Sequence, residues 1–285
     1  KSNVDEIEKD KTILHIFNTQ YYLDKKKIEN LPIGLFGDFY SHELSFCLIN
    51  KNDYMSLKNI FNKCNLKIDK ILLKSFVEGS HISSVNLNVN TFFKIKIDRE
   101  SSQIFYFENN SLKFEENFNF GSDLILKDIS KVTSLKIDVV EKIVRNSKLS
   151  KEINSEELIE KIFFNSENHK TIKKKLIQEI ASARIEEFLE ILLFKNINLK
   201  CYKKLNIVVF LNINDKFHFN CFKDVYHSLF SDNNNFAMKF SKDFKTEDTI
   251  NTVNQIVHFG WKKEAIPIVH RKKSLIAKIF NAVFG

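Results

Sequence analysis

Between Thr91 and Phe120 three strand-like phrases follow one another: "TFFKIKI", "QIFYFEN" and "SLKFEENFNF". Each is rich in the aromatic and β-branched residues that fit a pleated surface, and short polar joints separate them. Helical phrases come next, and then "NIVVFL", a short continuous apolar run of the kind that forms a buried strand. Strands alternating with helices in this way argue an α/β core.

The helical phrases are legible from their spacing. After Gly121 a helix carries Leu124, Ile125, Asp128, Ile129 and Val132 at helical period, and another runs from about Ile137 to Arg145. Residues 152–195 read as helical, with an apolar stripe that includes Leu176, Ile177, Ile180 and Phe188. Beyond "NIVVFL" come a helix near Phe219 to Phe230, a short strand "NFAMKF", and a helix ending in "IVHFG". Upstream, "TILHIF" and "QYYLD" read as strands, and Pro32, Gly34 and Gly37 give "LPIGLFGD" its turn chemistry. A strand at Glu43 to Asn50 leads to a helix capped by Asn52 or Asp53, with Leu57, Ile60, Phe61 and Cys64 on one face. A strand at Ile68 to Lys74 closes a small α+β module.

With 285 residues, 43 % of them hydrophobic, the chain can bury more than one core. The net charge of +8 comes from Lys, since only Arg99, Arg145, Arg184 and Arg271 are arginines. Together with abundant Asn, Ile and Phe this reads as A/T-rich coding background, and no nucleic-acid partner is expected. Cys47, Cys64, Cys201 and Cys221 form no CxxC pair and mostly adjoin apolar residues, so they read as reduced, buried thiols of a cytoplasmic protein. The histidines show no metal-ligand spacing, and no metal site is expected. The longest apolar run, "IVVFL", is too short to cross a bilayer. The chain opens in a polar helical phrase without an initiating Met, so a preceding segment is expected.

Several phrases resemble one family in order along nearly the whole chain. They are "ILHIFNTQYYLDKKKIENLPIGLFGD", "IFNKCNLKIDKILLKSFVEGS", "NFGSDLILKDIS", "QEIASARIEEFLEIL", "NIVVFLNI", "QIVHFG" and the basic amphipathic end. The family is that of the bacterial cell-division protein FtsA, in the superfamily of actin and the heat-shock chaperones. The resemblance implies an actin-like (ribonuclease H-like) two-lobed α/β fold with a partial first lobe. It implies the end of a first-lobe segment at 1–11, an inserted α+β subdomain for self-association at 12–90, and a second lobe at 91–262. Within that lobe it implies a helical upper subdomain at about 137–205 and a final helix at 247–260, followed by a linker and membrane helix at 263–285. The implied role is tethering FtsZ to the cytoplasmic face of the inner membrane at the division septum. An active actin-like ATPase and a pilus-assembly scaffold of the same superfamily remain open.

The resemblance also implies ATP between the lobes, held by glycine hairpins whose backbone N–H groups approach the phosphates. At the second hairpin the family has an aspartate, a hydrophobe, three glycines, two threonines and an aspartate. This chain has Lys96-Ile97-Asp98-Arg99-Glu100-Ser101-Ser102-Gln103, and Leu211-Asn212 replaces a Gly-Gly pair. Only six glycines occur in the chain, so a glycine loop has nowhere else to lie. The expectation is a degenerate site at Ser101, Ser102, Gln103, Leu211 and Asn212, without enzymatic turnover; a cradle rebuilt from these residues is the alternative.

Leu275, Ile276, Ile279, Phe280, Val283 and Phe284 form one apolar face at helical period, flanked by Arg271, Lys272, Lys273 and Lys278. That pattern suits an anionic membrane surface, or else a terminal helix packed on its own core. The resemblance places recognition of the FtsZ C-terminal peptide at Arg184, with Glu187 and Phe188 as companions. Arg184 falls within an apolar stripe, between Ile180 and Phe188. An intramolecular pair with Glu187 or another carboxylate, or snorkelling, is the other reading. The "KTIKKK" run at Lys170 to Lys175 reads as a solvated helix face.

Overall fold

A computed structural model describes residues 10–264 apart from 29, 147–148, 150–153, 155, 165–170, 203–205, 215 and 234. The chain divides into two compact units: Lys1–His81 with Glu108–Lys113 and Thr246–Gly285, and Ile82–Phe107 with Phe114–Lys245. The helix expected to end the second lobe therefore groups with the first unit.

The first unit is built on a three-stranded antiparallel sheet of β1 (Lys11–Leu23), β2 (Lys26–Ile28) and β3 (Tyr40–Asn50), in the order β2-β1-β3. "TILHIF" and "QYYLD" are one strand rather than two. The polar Asn18-Thr19-Gln20 stretch stays in the ladder because β1 is central and β3 pairs along it, with irregularities at Ile13/His15 and Asn18/Gln20. One face of β1 buries His15, Phe17, Thr19 and Tyr21. Helix α1 (Lys51–Lys63) forms where expected, yet none of its residues is buried; Ile60 and Cys64 stand exposed.

The strand expected at Ile68 to Lys74 is absent: 68–73 carries no regular structure and Lys74 opens helix α2 (Lys74–Val85). Its sequence "KSFVEGSHISSV" is a weak helix former, with Gly79 and several serines. Packing supplies what propensity lacks, because Phe76 and Val77 are buried and the Phe76 ring lies 4.8 Å from that of Phe17.

Strands β4 (Phe92–Ile97), β5 (Ser102–Glu108) and β6 (Ser111–Phe118) form the expected meander of the second unit, except that the β5–β6 connection with its strand ends, Glu108–Lys113, groups with the first. Asn109 and Asn110, both at positive φ, make the two-residue turn before β6. Helices α3 (Asp123–Thr133), α4 (Ile137–Asn146) and α5 (Lys174–Leu189) follow, and α5 ends in a π-helical turn, Glu190–Phe194. The long helical segment expected at 152–195 is thus broken: among its described residues are a short 3₁₀ turn, Lys161–Phe164, and an isolated bridge between Leu158 and Lys173. Strand β7 (Ile207–Ile213), α6 (Lys216–Ser231) and β8 (Phe236–Phe240) complete the unit, and α7 (Thr246–Phe259) returns to the first.

The sheet order is β6-β5-β4-β7-β8, with β4 antiparallel to β5 and parallel to β7, and β7 parallel to β8. One face holds Phe93, Ile95, Ile97, Val209 and Leu211 against Ile129, Val140, Ile185 and Tyr226. Burial pushes the Tyr226 phenol far above its ordinary pKa, so it stays protonated. No described helix is long and apolar enough to cross a membrane.

Candidate functional site

Two places in the second unit carry the expected site residues. The first is the turn between β4 and β5. Ile97 pairs with Ser102 and the Asp98 N–H donates to the Ser101 carbonyl at 2.9 Å, leaving Arg99 and Glu100 at the tip. The start of α3 docks on this tip, with the Ser122 and Asp123 N–H groups donating to the Asp98 and Arg99 carbonyls, each at 2.9 Å. Gly121 makes that approach possible: a Cβ there would sit 2.3 Å from the Asp98 oxygen and 2.6 Å from the Arg99 oxygen.

Asp98 and Arg99 each have an oppositely charged partner nearby, while Glu100 is exposed at the tip. Asp98 accepts from Asn214 Nδ2 at 2.7 Å and pairs with Lys96 at 2.9 Å, while Arg99 Nε donates to Asp123 at 2.9 Å. Ser102 Oγ donates to the Phe120 carbonyl at 2.8 Å, and Gln103 Nε2 to Glu115 at 2.8 Å. Ser101 is exposed at the end of the turn. Leu211 is a core residue, and buried Asn212 donates to the Ser241 carbonyl at 3.1 Å. The Asn212 Oδ1 atom has no partner among the described residues.

The second place is a groove of about 310 Å³ lined by Asp128, Lys131 and Val132 of α3 and Ile180, Ala183, Arg184 and Glu187 of α5. Arg184 Nε donates to Asp128, and an Nη donates to Glu187 at 2.5 Å. The hydrogen bond with Asp128, ahead of the Glu187 charge, holds the guanidinium above its ordinary pKa despite partial burial. The intramolecular pair left open on sequence grounds is therefore present, with Asp128 as a further partner. Phe188 does not line the surface: it is 1 % exposed and stacks on Phe120 with ring centroids 5.2 Å apart. It supports the groove from beneath, a correction to its expected role as a contact.

Asp128, Lys131 and Val132 line the groove although the sequence alone does not mark them as site residues. The available signal was Asp128 itself, an acid among the apolar positions of α3 as Arg184 is a base within the stripe of α5. The lysine run also needs correction. Lys174 is only 4 % exposed and pairs with Glu157 at 2.6 Å and Glu160 at 3.3 Å. Of the thiols, Cys64 and Cys201 are exposed, so burial is reached only in part by Cys47 and Cys221. The membrane candidates Arg271, Lys272, Lys273, Leu275, Ile276, Lys278, Ile279, Phe280, Val283 and Phe284 lie outside the described residues.

The α/β sheet order, a meander followed by two parallel strands, defines the actin-like, ribonuclease H-like fold class. Among solved structures the chain is similar to the ethanolamine utilization protein EutJ from Carboxydothermus hydrogenoformans, at 10 % identity and TM-score 0.34, over 56 % of this chain and 48 % of that one. It is also similar to a PilM-PilN type IV pilus biogenesis complex, at 10 % identity and TM-score 0.39, over 80 % of this chain and 61 % of the other. A third similar structure is MreB5 of Spiroplasma citri bound to AMPPNP, at 14 % identity and TM-score 0.39, over 82 % and 68 %. The chain thus spans about half of the EutJ chain and three fifths of the matched chain from the pilus complex. No protein-family model and no curated protein matches the sequence.

Proposed function

We propose that this chain is an FtsA-like adaptor that binds the C-terminal tail peptide of FtsZ, self-associates, and attaches to the cytoplasmic face of the inner membrane at the division septum. The observation that carries the reading is the Arg184 groove. Asp128 fixes one edge of the guanidinium, while Glu187, half exposed, is the partner that an incoming carboxylate can displace. Lys131 adds a second cation, and Val132, Ile180 and Ala183 give apolar surface beside it, so the groove suits a short acidic and apolar peptide. The exposed Leu44, Met55, Ile60 and Phe61 of the first unit support self-association there. The basic amphipathic face from Leu275 to Phe284 supports attachment to anionic lipid.

Nucleotide turnover is not part of this function. The Ser122 and Asp123 N–H groups at the start of α3, which could otherwise face an anion, are bonded to the Asp98 and Arg99 carbonyls, and the Asp98 carboxylate is engaged by Lys96 and Asn214. These residues do not fit a phosphate chain. ATP protecting the protein from heat would favour the ATPase reading instead.

The deciding experiment is fluorescence anisotropy with a labelled FtsZ tail peptide. Arg184→Glu is expected to weaken binding at least tenfold through charge reversal, and unchanged affinity overturns the site. A pilus-assembly peptide that binds more tightly than the FtsZ tail would move the assignment to the scaffold reading.

A further inference from the structure

The segment after β2 presents a cluster of apolar side chains to solvent. Leu31-Pro32-Ile33-Gly34-Leu35-Phe36 contains no polar side chain; Phe36 is 100 % exposed and Ile33 83 %, with Leu31, Leu35 and Phe39 also exposed. The base of this loop is firmly built. Asp24 Oδ1 accepts the Asp38 and Phe39 N–H groups at 3.0 and 2.8 Å, and the Asp24 N–H donates to the Phe39 carbonyl at 2.8 Å. Gly37 fits closely on β1, since a Cβ would lie 2.6 Å from Leu23 Cδ1. The tip folds on itself through the Ile33 N–H to Leu31 carbonyl bond at 2.8 Å, and Gly34 stands clear at φ +80° with nothing within 4 Å of where a Cβ would be.

Beside the loop, the turn that contains Asp24 carries Lys25, Lys26 and Lys27, all exposed and without an ion-pair partner among the described residues. Among the described residues between Lys25 and Phe39, Asp38 is the opposing exposed acid; Glu29 lies outside the described residues. A projecting tip without polar side chains offers little for the polar rim of a specific protein interface. Apolar side chains next to unpaired lysines match the acyl boundary and headgroups of an anionic bilayer.

We infer that the 31–36 loop inserts its tip into an anionic lipid surface while Lys25, Lys26 and Lys27 lie on the headgroups. This contact is separate from the Arg184 groove and adds to the proposed C-terminal attachment.

The test uses the full chain carrying Phe36→Trp, with the parent chain giving the Trp261 background. Vesicles of brominated phosphatidylcholine are used with and without phosphatidylglycerol. The expected result is a blue-shifted, quenched signal from the introduced indole on the anionic vesicles only. Lys25→Gln, Lys26→Gln and Lys27→Gln together should lower vesicle affinity about a hundredfold, and Ile33→Ser with Phe36→Ser in the otherwise parent chain at least about tenfold. A water-like signal from the introduced indole on vesicle-bound protein overturns the loop contact while leaving the C-terminal attachment standing. A signal already shifted without vesicles shows that protein covers the tip and also overturns it, and absence of vesicle binding rejects both contacts.

Discussion

Gly121→Ala tests whether the β4–β5 turn is held by the start of α3. The added Cβ would meet backbone, 2.3 Å from the Asp98 oxygen and 2.7 Å from the Arg99 carbonyl carbon, and backbone cannot swing aside as a long side chain can. Relief requires α3 to retreat from the turn, which breaks the Ser122 and Asp123 N–H bonds at 2.9 Å and loosens the Arg99–Asp123 pair. Two backbone bonds at about 0.5–1.5 kcal/mol each, plus the cost of leaving buried groups without partners, give about 2–4 kcal/mol. For a unit of this size each kcal/mol lowers Tm by roughly 2–4 °C, so a drop of about 4–16 °C is expected by calorimetry. Gly34→Ala is the control: its positive φ costs about 1–2 kcal/mol, but the site is open. Hydrogen exchange adds a local readout, since Ser122 and Asp123 amides should lose protection only in Gly121→Ala. Retained protection and a Tm within a degree or two of the parent would refute the docking argument.

Other outcomes follow from the charged groups. Burial raises the Glu264 carboxyl, but hydrogen bonds from His15 at 2.7 Å and Lys70 at 2.8 Å outweigh it and hold the pKa below the ordinary 4.5. That stabilisation is present above the ordinary value and lost as pH falls through the folded one, so Glu264→Gln should flatten the acid limb of denaturant-measured stability below about pH 4.5. At Lys174 the Glu157 hydrogen bond raises the pKa, although burial opposes it. Its partners are half exposed and stay solvated when the charge is removed, so Lys174→Met should cost about 1 kcal/mol or less and Lys174→Ala clearly more, as read in urea. A double-mutant cycle of Arg184→Met with Asp128→Asn should give a coupling of about 1 kcal/mol, reduced by salt, because both groups are about a quarter exposed. Deleting Leu275 to Gly285 should reduce liposome flotation; unchanged flotation removes that segment from the proposed membrane contact.

The second unit was largely legible because its signals are local and strong. "TFFKIKI", "QIFYFEN" and "NIVVFL" each carry enough aromatic and β-branched residues to fix a strand, and the Ile125-Ile129 and Val139-Ile143 spacings fix α3 and α4. The first unit was less legible because its elements depend on tertiary partners. α2 contains Gly79 and several serines and becomes helical through Phe76 and Val77, while "ILLK", a good strand phrase, finds no sheet to join. β1 runs through Asn18-Thr19-Gln20 because a central strand is paired along its length. In the groove, Arg184 was visible as a base in an apolar stripe, but its main partner, Asp128, is 56 residues away. No periodicity links two helices; only their packing does.

The β4–β5 turn is completed by a segment some twenty residues downstream, the start of α3. A turn without glycine must keep its N–H groups and carbonyls satisfied by ordinary backbone, and here the last ladder bond, Asp98 to Ser101, does half of this. The other half comes from α3, whose first N–H groups reach the Asp98 and Arg99 carbonyls only because residue 121 has no side chain. The close backbone approach at this contact is made by a glycine on the helix side, facing carbonyl oxygens. Lys96 matches the charge of Asp98, Asp123 matches that of Arg99, and Asn214 donates to Asp98, while Glu100 stays exposed at the tip. Forming an anion cradle here would therefore need more than glycines placed at 99 and 100: the α3 N–H groups would have to be released from those carbonyls, and Asp98 replaced. An Asp98→Gly, Arg99→Gly, Glu100→Gly variant should accordingly lose stability without gaining protection by ATP, and ATP-dependent protection of that variant would show that the N–H groups are free to turn toward phosphate.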